Sequence, residues 1–503
     1  MLARALSGAL LGVDAYLVGV EVDTVRGLPQ FATVGLPEGA VKEAKVRVKS
    51  AVLNSGFEFP TRKITVNLAP AGVKKEGAAF DLPIAMGILA ANNGFEPGPF
   101  GDYMMAGELS LSGELKPVRG ALSLAAAARE AGLKGVVLPD ENGAEAAVVS
   151  GIEVRIARDL VEVVQFFSGD ADLELAKPGG EKTFVTGQGV DLADVKGQES
   201  AKRALEVAAA GGHNILMVGP PGSGKTMLAK RLPTILPAMS FEESLETTKV
   251  YSVAGLLNGA GLVQARPFRS PHHTISNAGL VGGGSIPRPG EISLAHNGVL
   301  FLDELPEFKK SVLELLRQPL EDGIVTIARA QITITYPAKS MLVAAMNPCP
   351  CGFLGHPLRG CTCTPNQIQL YRSRLSGPLL DRIDLHVDVP AVPYAELSAE
   401  RSGEPSKVIR DRVEVARAVQ EQRFKGTGVH SNSGMSARMV REYCKLGPGT
   451  SDLLEAVVDK LGMSGRAYDR ILKVARTIAD LEEREEILAR DVAEAVQYRS
   501  LDR

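Results

Sequence analysis

The chain has no tryptophan, five cysteines in 503 residues, and no apolar run near the roughly 20 residues that cross a bilayer. The missing apolar run argues against a membrane-spanning protein, and five cysteines are too few for a disulfide-stapled secreted scaffold. Net charge is also small, −3 at neutral pH, so the chain as a whole is neither a polybasic nor a polyacidic binder. A composition of 45% hydrophobic and 23% charged residues fits a soluble globular protein and excludes collagen-like, disordered and coiled-coil classes. At roughly 100–200 residues per domain, the length suits about three domains. The first residues carry one Arg ahead of an apolar stretch, but Gly8, Gly12 and Asp14 break it and no small-residue cleavage site follows. They read as a first strand, and the protein as cytoplasmic.

The small net charge hides an uneven distribution. Residues 1–175 carry 16 Lys/Arg against 22 Asp/Glu, residues 176–395 carry 21 against 18, and residues 396–503 carry 19 against 19. Within the basic middle, two stretches lack Asp and Glu altogether: 247–290, with Lys249, Arg266, Arg269 and Arg288, and 323–380, with Arg329, Lys339, Arg359, Arg372 and Arg374. Acid-free segments bearing arginine suit loops that face a polyanion.

Residues 1–167 alternate β-like runs (18–22, 64–68, 135–138, 153–156) with Ala-rich helical patterns (40–55, 82–92, 121–131), which predicts an α/β domain. Residues 168–190 mix Gly, Pro and scattered charge and read as a linker. A second α/β unit spans 191–389, residues 390–405 read as a hinge, and 406–503 as an all-helical domain, with Leu453, Val457, Val458 and Leu461 at helical spacing.

The apolar run 214–218 leads into Gly219, Pro220, Pro221, Gly222, Ser223, Gly224, Lys225 and Thr226, followed by a helical pattern. This is a Walker A motif between strand and helix. Its backbone N–H groups can converge on a β-phosphate, Lys225 supplies charge to the β/γ oxygens, and Thr226 offers a hydroxyl to Mg²⁺. Residues 298–302 form a second apolar run ending in Asp303 and Glu304, the Walker B pattern, with Asp303 suited to the Mg²⁺ shell and Glu304 to polarising water.

These motifs resemble P-loop motors of the AAA+ class. The resemblance implies that Asn347, ending a third apolar run, is sensor 1. It also implies that Arg382 is an arginine finger reaching a neighbouring subunit, unless it pairs internally with Asp381 or Asp384, and that Arg466 is sensor 2, with Arg470 the alternative. The run from Arg269 through Pro-His272-His273-Thr, then Gly282-Gly-Gly, and residues 289–308 are more specific: they resemble the magnesium-chelatase-like branch and, with a domain ahead of the motor, the YifB/ComM family. That branch carries a helix-2 insert and a hairpin before sensor 1, both facing the pore of a ring, and here they map to about 247–290 and to 323–337. The coincidence with the acid-free stretches favours a polyanion in the pore. Arg329, at the hairpin centre, is the first candidate for contacting DNA. Arg269, Arg288, His272 and His273 follow, although paired histidines in a Pro-flanked turn are as often structural. Phe268 and Tyr336 are the few aromatics available, so contact should be to backbone and independent of sequence.

Cys349, Cys351, Cys361 and Cys363 fall within fifteen residues and can supply four thiolates to one tetrahedral zinc, with free thiols or a redox pair as alternatives. Cys444 reads as a buried single thiol. In the N-terminal domain, residues 66–83 and 111–132 resemble the segments of Lon-type proteases that carry the catalytic Ser and Lys. Ala79 and Leu124 stand at those two positions, so the expectation is a Lon-like, ribosomal-S5-type fold without proteolysis, in which Lys74 and Lys75 serve DNA or merely solvation. The family resemblance implies an ATP- and Mg²⁺-dependent homo-oligomer, a hexamer, acting on single-stranded or branched DNA as a helicase in recombination and natural transformation. The alternative is a chelatase-like ATPase that remodels a protein partner.

Overall fold

The computed structural model describes all residues except 37–38, 73–74, 76, 93–99, 180–188, 258, 285–286, 330–331, 357, 394–402 and 500–503. The first α/β unit is built on an eight-stranded sheet. Its spatial order is Glu174–Leu175, Glu153–Ala157, Gly135–Pro139, Tyr103–Met105, Leu2–Leu11, Asp14–Val25, Lys63–Ala69, Gln30–Val34. Alternate residues of the inner strands bury in different apolar clusters. Tyr103, Met105 and Val137 face the helices Gly39–Asn54 and Asp81–Ala91, whereas Met104, Val136 and Leu138 face Ala121–Glu130. Because both faces are covered, these strands read as continuous apolar runs. Every residue of Asp81–Ala91 is buried, and its single charge, Asp81, is paired with Arg47 at 2.6 Å.

The second unit has the same three-layer logic. Five parallel strands lie in the order Phe268–Arg269, Val299–Leu302, Met341–Met346, Ile215–Val218, Leu385–Asp388. Ile215, Met217, Phe301 and Val343 point into one cluster, and Leu216, Leu300, Leu302 and Leu342 into the other. The chain is thus mixed α/β with a helical C-terminal region, whose helices are Ser406–Arg423, Ala437–Tyr443, Pro448–Leu461, Gly465–Leu481 and Ala489–Gln497. No helix among the described residues is long and apolar enough to cross a membrane.

Several sequence expectations shift. Within the predicted linker, Glu174–Leu175 adds an exposed edge strand to the first sheet, too short to show alternation. In Pro448–Leu461, Leu454 is the buried position and Leu453 is 38% exposed, which turns the predicted apolar stripe by one residue. Lys75 is buried, donating to the Pro70 carbonyl, and is available neither to DNA nor to solvent; Lys74 lies outside the described residues.

The helical region is fastened by a buried polar network. Asp480 accepts from Arg423 at 2.6 and 2.8 Å, from Arg476 at 3.0 Å and from Asn432 at 2.8 Å. His213 joins it to the second unit, touching Asp384 at 3.1 Å and Thr477 at 2.9 Å. Asp480→Ala leaves two guanidiniums without their carboxylate and should lower stability by about 3–5 kcal/mol, read as a shifted denaturant midpoint for the C-terminal region.

Candidate functional site

The site forms where strands of the second sheet end. Ile215–Val218 runs into the loop 219–224 and then helix Lys225–Arg231. Gly219 passes so close to the strand Leu385–Asp388 that a Cβ would lie 2.1 Å from the Val389 carbonyl, and Gly224, at φ 94°, takes a left-handed turn into the helix. Lys225 Nζ is gathered by the carbonyls of Gly219 (2.7 Å) and Pro220 (2.9 Å) and by Asn347 Oδ1 (3.4 Å). Burial holds its pKa below the ordinary lysine value, against the opposing pull of Asp303. Thr226 Oγ1 donates to Asp303 Oδ2 at 2.7 Å, and the buried Ser223 hydroxyl has no partner among the described residues. A hydroxyl beside a carboxylate, an orphaned hydroxyl and an ammonium held only by neutral oxygens fit a Mg²⁺–triphosphate.

Glu304 follows Asp303 in a left-handed conformation (φ 52°, ψ 46°), with its N–H bonded to Asp303 Oδ1 at 2.9 Å. Its carboxylate meets His273 Nδ1 at 3.4 Å. His273 stacks at 4.1 Å on His272, which contacts Thr274 at 2.9 Å, so the pair faces the Walker B carboxylate and its own turn. No local pattern signals this contact, because the two partners are thirty-one residues apart.

The acid-free stretch 247–290 divides. Its first part completes the helix Phe241–Ala254, and the insert proper lies beyond the strand Phe268–Arg269, as the helix Asn277–Val281 and the turn between Gly282–Gly283 and Arg288–Pro289. Three of its four cations are neutralised by carboxylates from outside the window: Lys249 by Asp14 (2.8 Å), Arg266 by Glu243 (2.9 Å) and Arg269 by Glu291 (2.6 Å). Arg269 is therefore a structural tie. Arg288 stays exposed. The hairpin forms from Ile324–Arg329 and Ile332–Pro337, with Arg329 exposed at its far end. Phe268 stacks on Phe301 and Tyr336 is buried, donating to the Pro287 carbonyl, so neither ring is offered to a base.

Arg382 pairs with Glu321, not with Asp381 or Asp384. It lies at the opposite end of the sheet from its own P-loop: its carbonyl accepts from Asn214, which precedes Ile215–Val218. Arg466 is exposed near Glu321, and Arg470 pairs with Asp384 at 3.3 Å.

Pattern reading missed Gln198. Its Nε2 bridges the Ser223 carbonyl (3.1 Å) and the Pro390 carbonyl (2.6 Å), tying the phosphate loop to a cleft of about 1000 Å³ lined by Val195, His386, Asp388 and Tyr498. Burial pushes the His386 pKa down to about 3, which keeps the ring neutral. The cleft has room for a nucleotide base, and the turn Asp194-Val-Lys-Gly-Gln198 before the first core helix was its available signal.

The four clustered cysteines converge: their Sγ atoms lie within 4.8 Å of one another, with Cys349 Sγ 3.4 Å from Cys351 Sγ and 3.6 Å from Cys361 Sγ. Backbone N–H groups of Phe353 and Thr362 push the Cys351 thiol down, while the neighbouring sulfurs push Cys361 and Cys363 up, so the cluster carries its first negative charge on Cys351. The group could hold zinc. Gly352 packs on Pro221 of the phosphate loop, where a Cβ would come within 2.5 Å. Cys444 is buried elsewhere, its thiol pushed up to about 12 by burial. In the N-terminal unit, Ala79 and Leu124 share one apolar cluster. Elemental analysis of the purified chain should find zinc in equimolar amount, and Cys361→Ser should lose it and weaken nucleotide binding through the Gly352–Pro221 contact.

Comparison with known proteins follows the same division. Sequence models described as "Subunit ChlI of Mg-chelatase", "Magnesium chelatase, subunit ChlI" and "Magnesium chelatase, subunit ChlI C-terminal" match residues 20–142, 191–397 and 403–499. The chain is 47% identical over 504 residues to the uncharacterized protein YifB of Salmonella typhimurium, covering 100% of this chain and 98% of that one. It is 47% identical over 508 residues to the competence protein ComM of Haemophilus influenzae, with the same coverage. A partial likeness, 28% over 166 residues, links 31% of the chain to 29% of Lon protease 2 of Bacillus subtilis. A phosphate loop, a Walker B carboxylate pair and full-length identity at this level leave one assignment: the chain belongs to the YifB/ComM family of magnesium-chelatase-like AAA+ proteins, a membership that implies an ATPase using Mg²⁺.

Proposed function

We propose that the chain is an ATP-driven ring motor on DNA, a helicase promoting branch migration during homologous recombination and natural transformation. The observation that carries this reading is the meeting of the hairpin end with the Gly282–Gly283 and Arg288–Pro289 pair. Arg329 and the turn bearing Arg288 adjoin, both arginines are exposed, and neither makes an ion pair among the described residues. Unpaired guanidiniums on neighbouring loops suit a phosphate backbone, and phosphate contact carries no base information. The competence name of the Haemophilus relative supports the same direction.

In this reading Lys225 neutralises the β/γ oxygens, Thr226 and Asp303 hold Mg²⁺, and Asn347 orients the attacking water while Glu304 takes its proton. Mg²⁺, when bound, shields charge between the two phosphates. His273 fixes the Glu304 carboxylate before nucleotide arrives. Arg382 serves a neighbouring copy in a homo-oligomer, with a hexamer the expected closure, Arg466 is sensor 2 on the helical lid, and the four cysteines hold a structural zinc beside the phosphate loop. Such a motor works in the cytoplasm on single-stranded or branched DNA. A protein-remodelling ATPase of the chelatase type is the second reading, favoured by the family matches along the chain.

The deciding experiment is ATPase rate with and without single-stranded and forked DNA, at low and moderate salt. Salt-sensitive stimulation is expected; intact basal turnover with no stimulation would transfer the proposal to a protein substrate. Glu304→Gln should cut turnover by about 10²–10⁴-fold while ATP still binds, whereas Lys225→Ala should lose ATP binding itself. A Glu304→Gln variant with normal turnover removes the general-base role.

A further inference from the structure

The two α/β units meet at a loop that the motor chemistry does not use. Asn142 clamps Val118 from both sides, accepting from its N–H and donating to its carbonyl, each at 2.8 Å. Gly120 donates to the Ser252 carbonyl at 3.1 Å, and at φ 72° a Cβ there would come within 2.4 Å of Leu10. Between these two fixed points stands Arg119, exposed, its Nε 3.0 Å from where a Cβ on Gly255 would be. The backbone on either side is held, so the guanidinium is delivered to a defined place at the end of the helix Phe241–Ala254.

That place is beside the insert. The helix Phe241–Ala254, whose end Arg119 meets, packs against the strand Arg288–Pro289, and burial together with the nearby Arg288 charge holds the Arg119 pKa below its ordinary value. Arg288 is paired across the turn with Gly283, and Arg329 Nη2 lies 3.7 Å from where Gly283 would carry a Cβ. Three arginines from three separate segments thus follow one another from the N-terminal unit to the end of the hairpin. None makes an ion pair among the described residues, although Lys249, Arg266 and Arg269 close by each have a carboxylate. The N-terminal unit also touches the hairpin directly: a Cβ on Gly12 would lie 3.1 Å from the Thr335 carbonyl.

We propose that Arg119, Arg288 and Arg329 form one phosphate-binding row, in which the N-terminal unit supplies the outermost contact to a single strand of nucleic acid. The inference rests on the DNA reading above and adds a binding role for a domain that lacks protease chemistry. Like charges held together without a counter-charge repel, and a polyanion laid along them relieves the repulsion while releasing its own counterions. Guanidinium forks suit phosphate oxygens at each step of the row.

The test is binding of a fluorescein-labelled oligo-dT strand to the full chain across a salt series, for the unaltered protein, Arg119→Ala and Arg119→Lys. The row predicts that Arg119→Ala weakens binding and lowers the slope of log affinity against log salt by about 0.7, and that Arg119→Lys restores much of both. Melting temperature without DNA should stay the same or rise in Arg119→Ala, since a repelling charge is gone, and basal ATPase should not change. Unchanged affinity and slope in Arg119→Ala, with DNA binding intact in the unaltered protein, overturn the row alone. A lowered melting temperature with unchanged binding also overturns it, by making Arg119 a cap on the Phe241–Ala254 helix. No binding by the unaltered protein, even at low salt, removes the DNA reading and the row with it.

Discussion

Everything chemical in this chain hangs on one four-residue strand, Ile215–Val218. It is hydrogen-bonded along both edges, to Met341–Met346 and to Leu385–Asp388, and its side chains alternate between two apolar clusters. With no free edge and no exposed face, it cannot shift register without burying the wrong atoms. The loop that leaves its C-terminal end therefore starts from a fixed point, and Lys225 and Thr226 inherit that precision; Asp303 reaches Thr226 from the end of Val299–Leu302.

The same strand separates two groups of charges. Asn214, before its first residue, ties to Asp384 and to the Arg382 carbonyl, and Arg470 joins the same cluster through Asp384. Four residues of strand span about 13 Å, so Arg382 and the phosphate loop of one chain stand at opposite ends of the sheet. An arginine placed there that meets a γ-phosphate must meet one held by another copy. Glu321, which holds Arg382 within a single chain, then becomes the group that a neighbouring subunit has to displace.

What could be read from the sequence was whatever is contiguous. The phosphate loop, the Walker B run and the strands buried on both faces announce themselves because a local stretch of chain carries both the geometry and the residue types. The convergence of four cysteines followed for the same reason, whereas the hairpin came from the family resemblance. What could not be read were partners supplied by distant segments. An acid-free window says nothing about Asp14, Glu243 and Glu291, which neutralise three of its cations from elsewhere in the chain. His273 carried the right chemistry for DNA, yet faces Glu304. Gln198 lacked any charge to draw notice, and Lys75 looked like a solvated lysine until the fold closed over it.

The N-terminal unit closes its sheet between two apolar layers. Leu124 is buried in an apolar cluster against which the half-buried Ala79 packs, so neither position offers a nucleophile or a base. An ammonium in place of Leu124 would be buried among aliphatic neighbours, at a cost of several kcal/mol. The constraints that remain on this unit are at its edge: the Gly120–Ser252 bond, the Lys249–Asp14 pair and the Gly12 contact with the hairpin. All three lie toward the motor, and none is needed to fold a free-standing Lon-like domain. Arg119 projects from that same side, beside the Gly120–Ser252 bond.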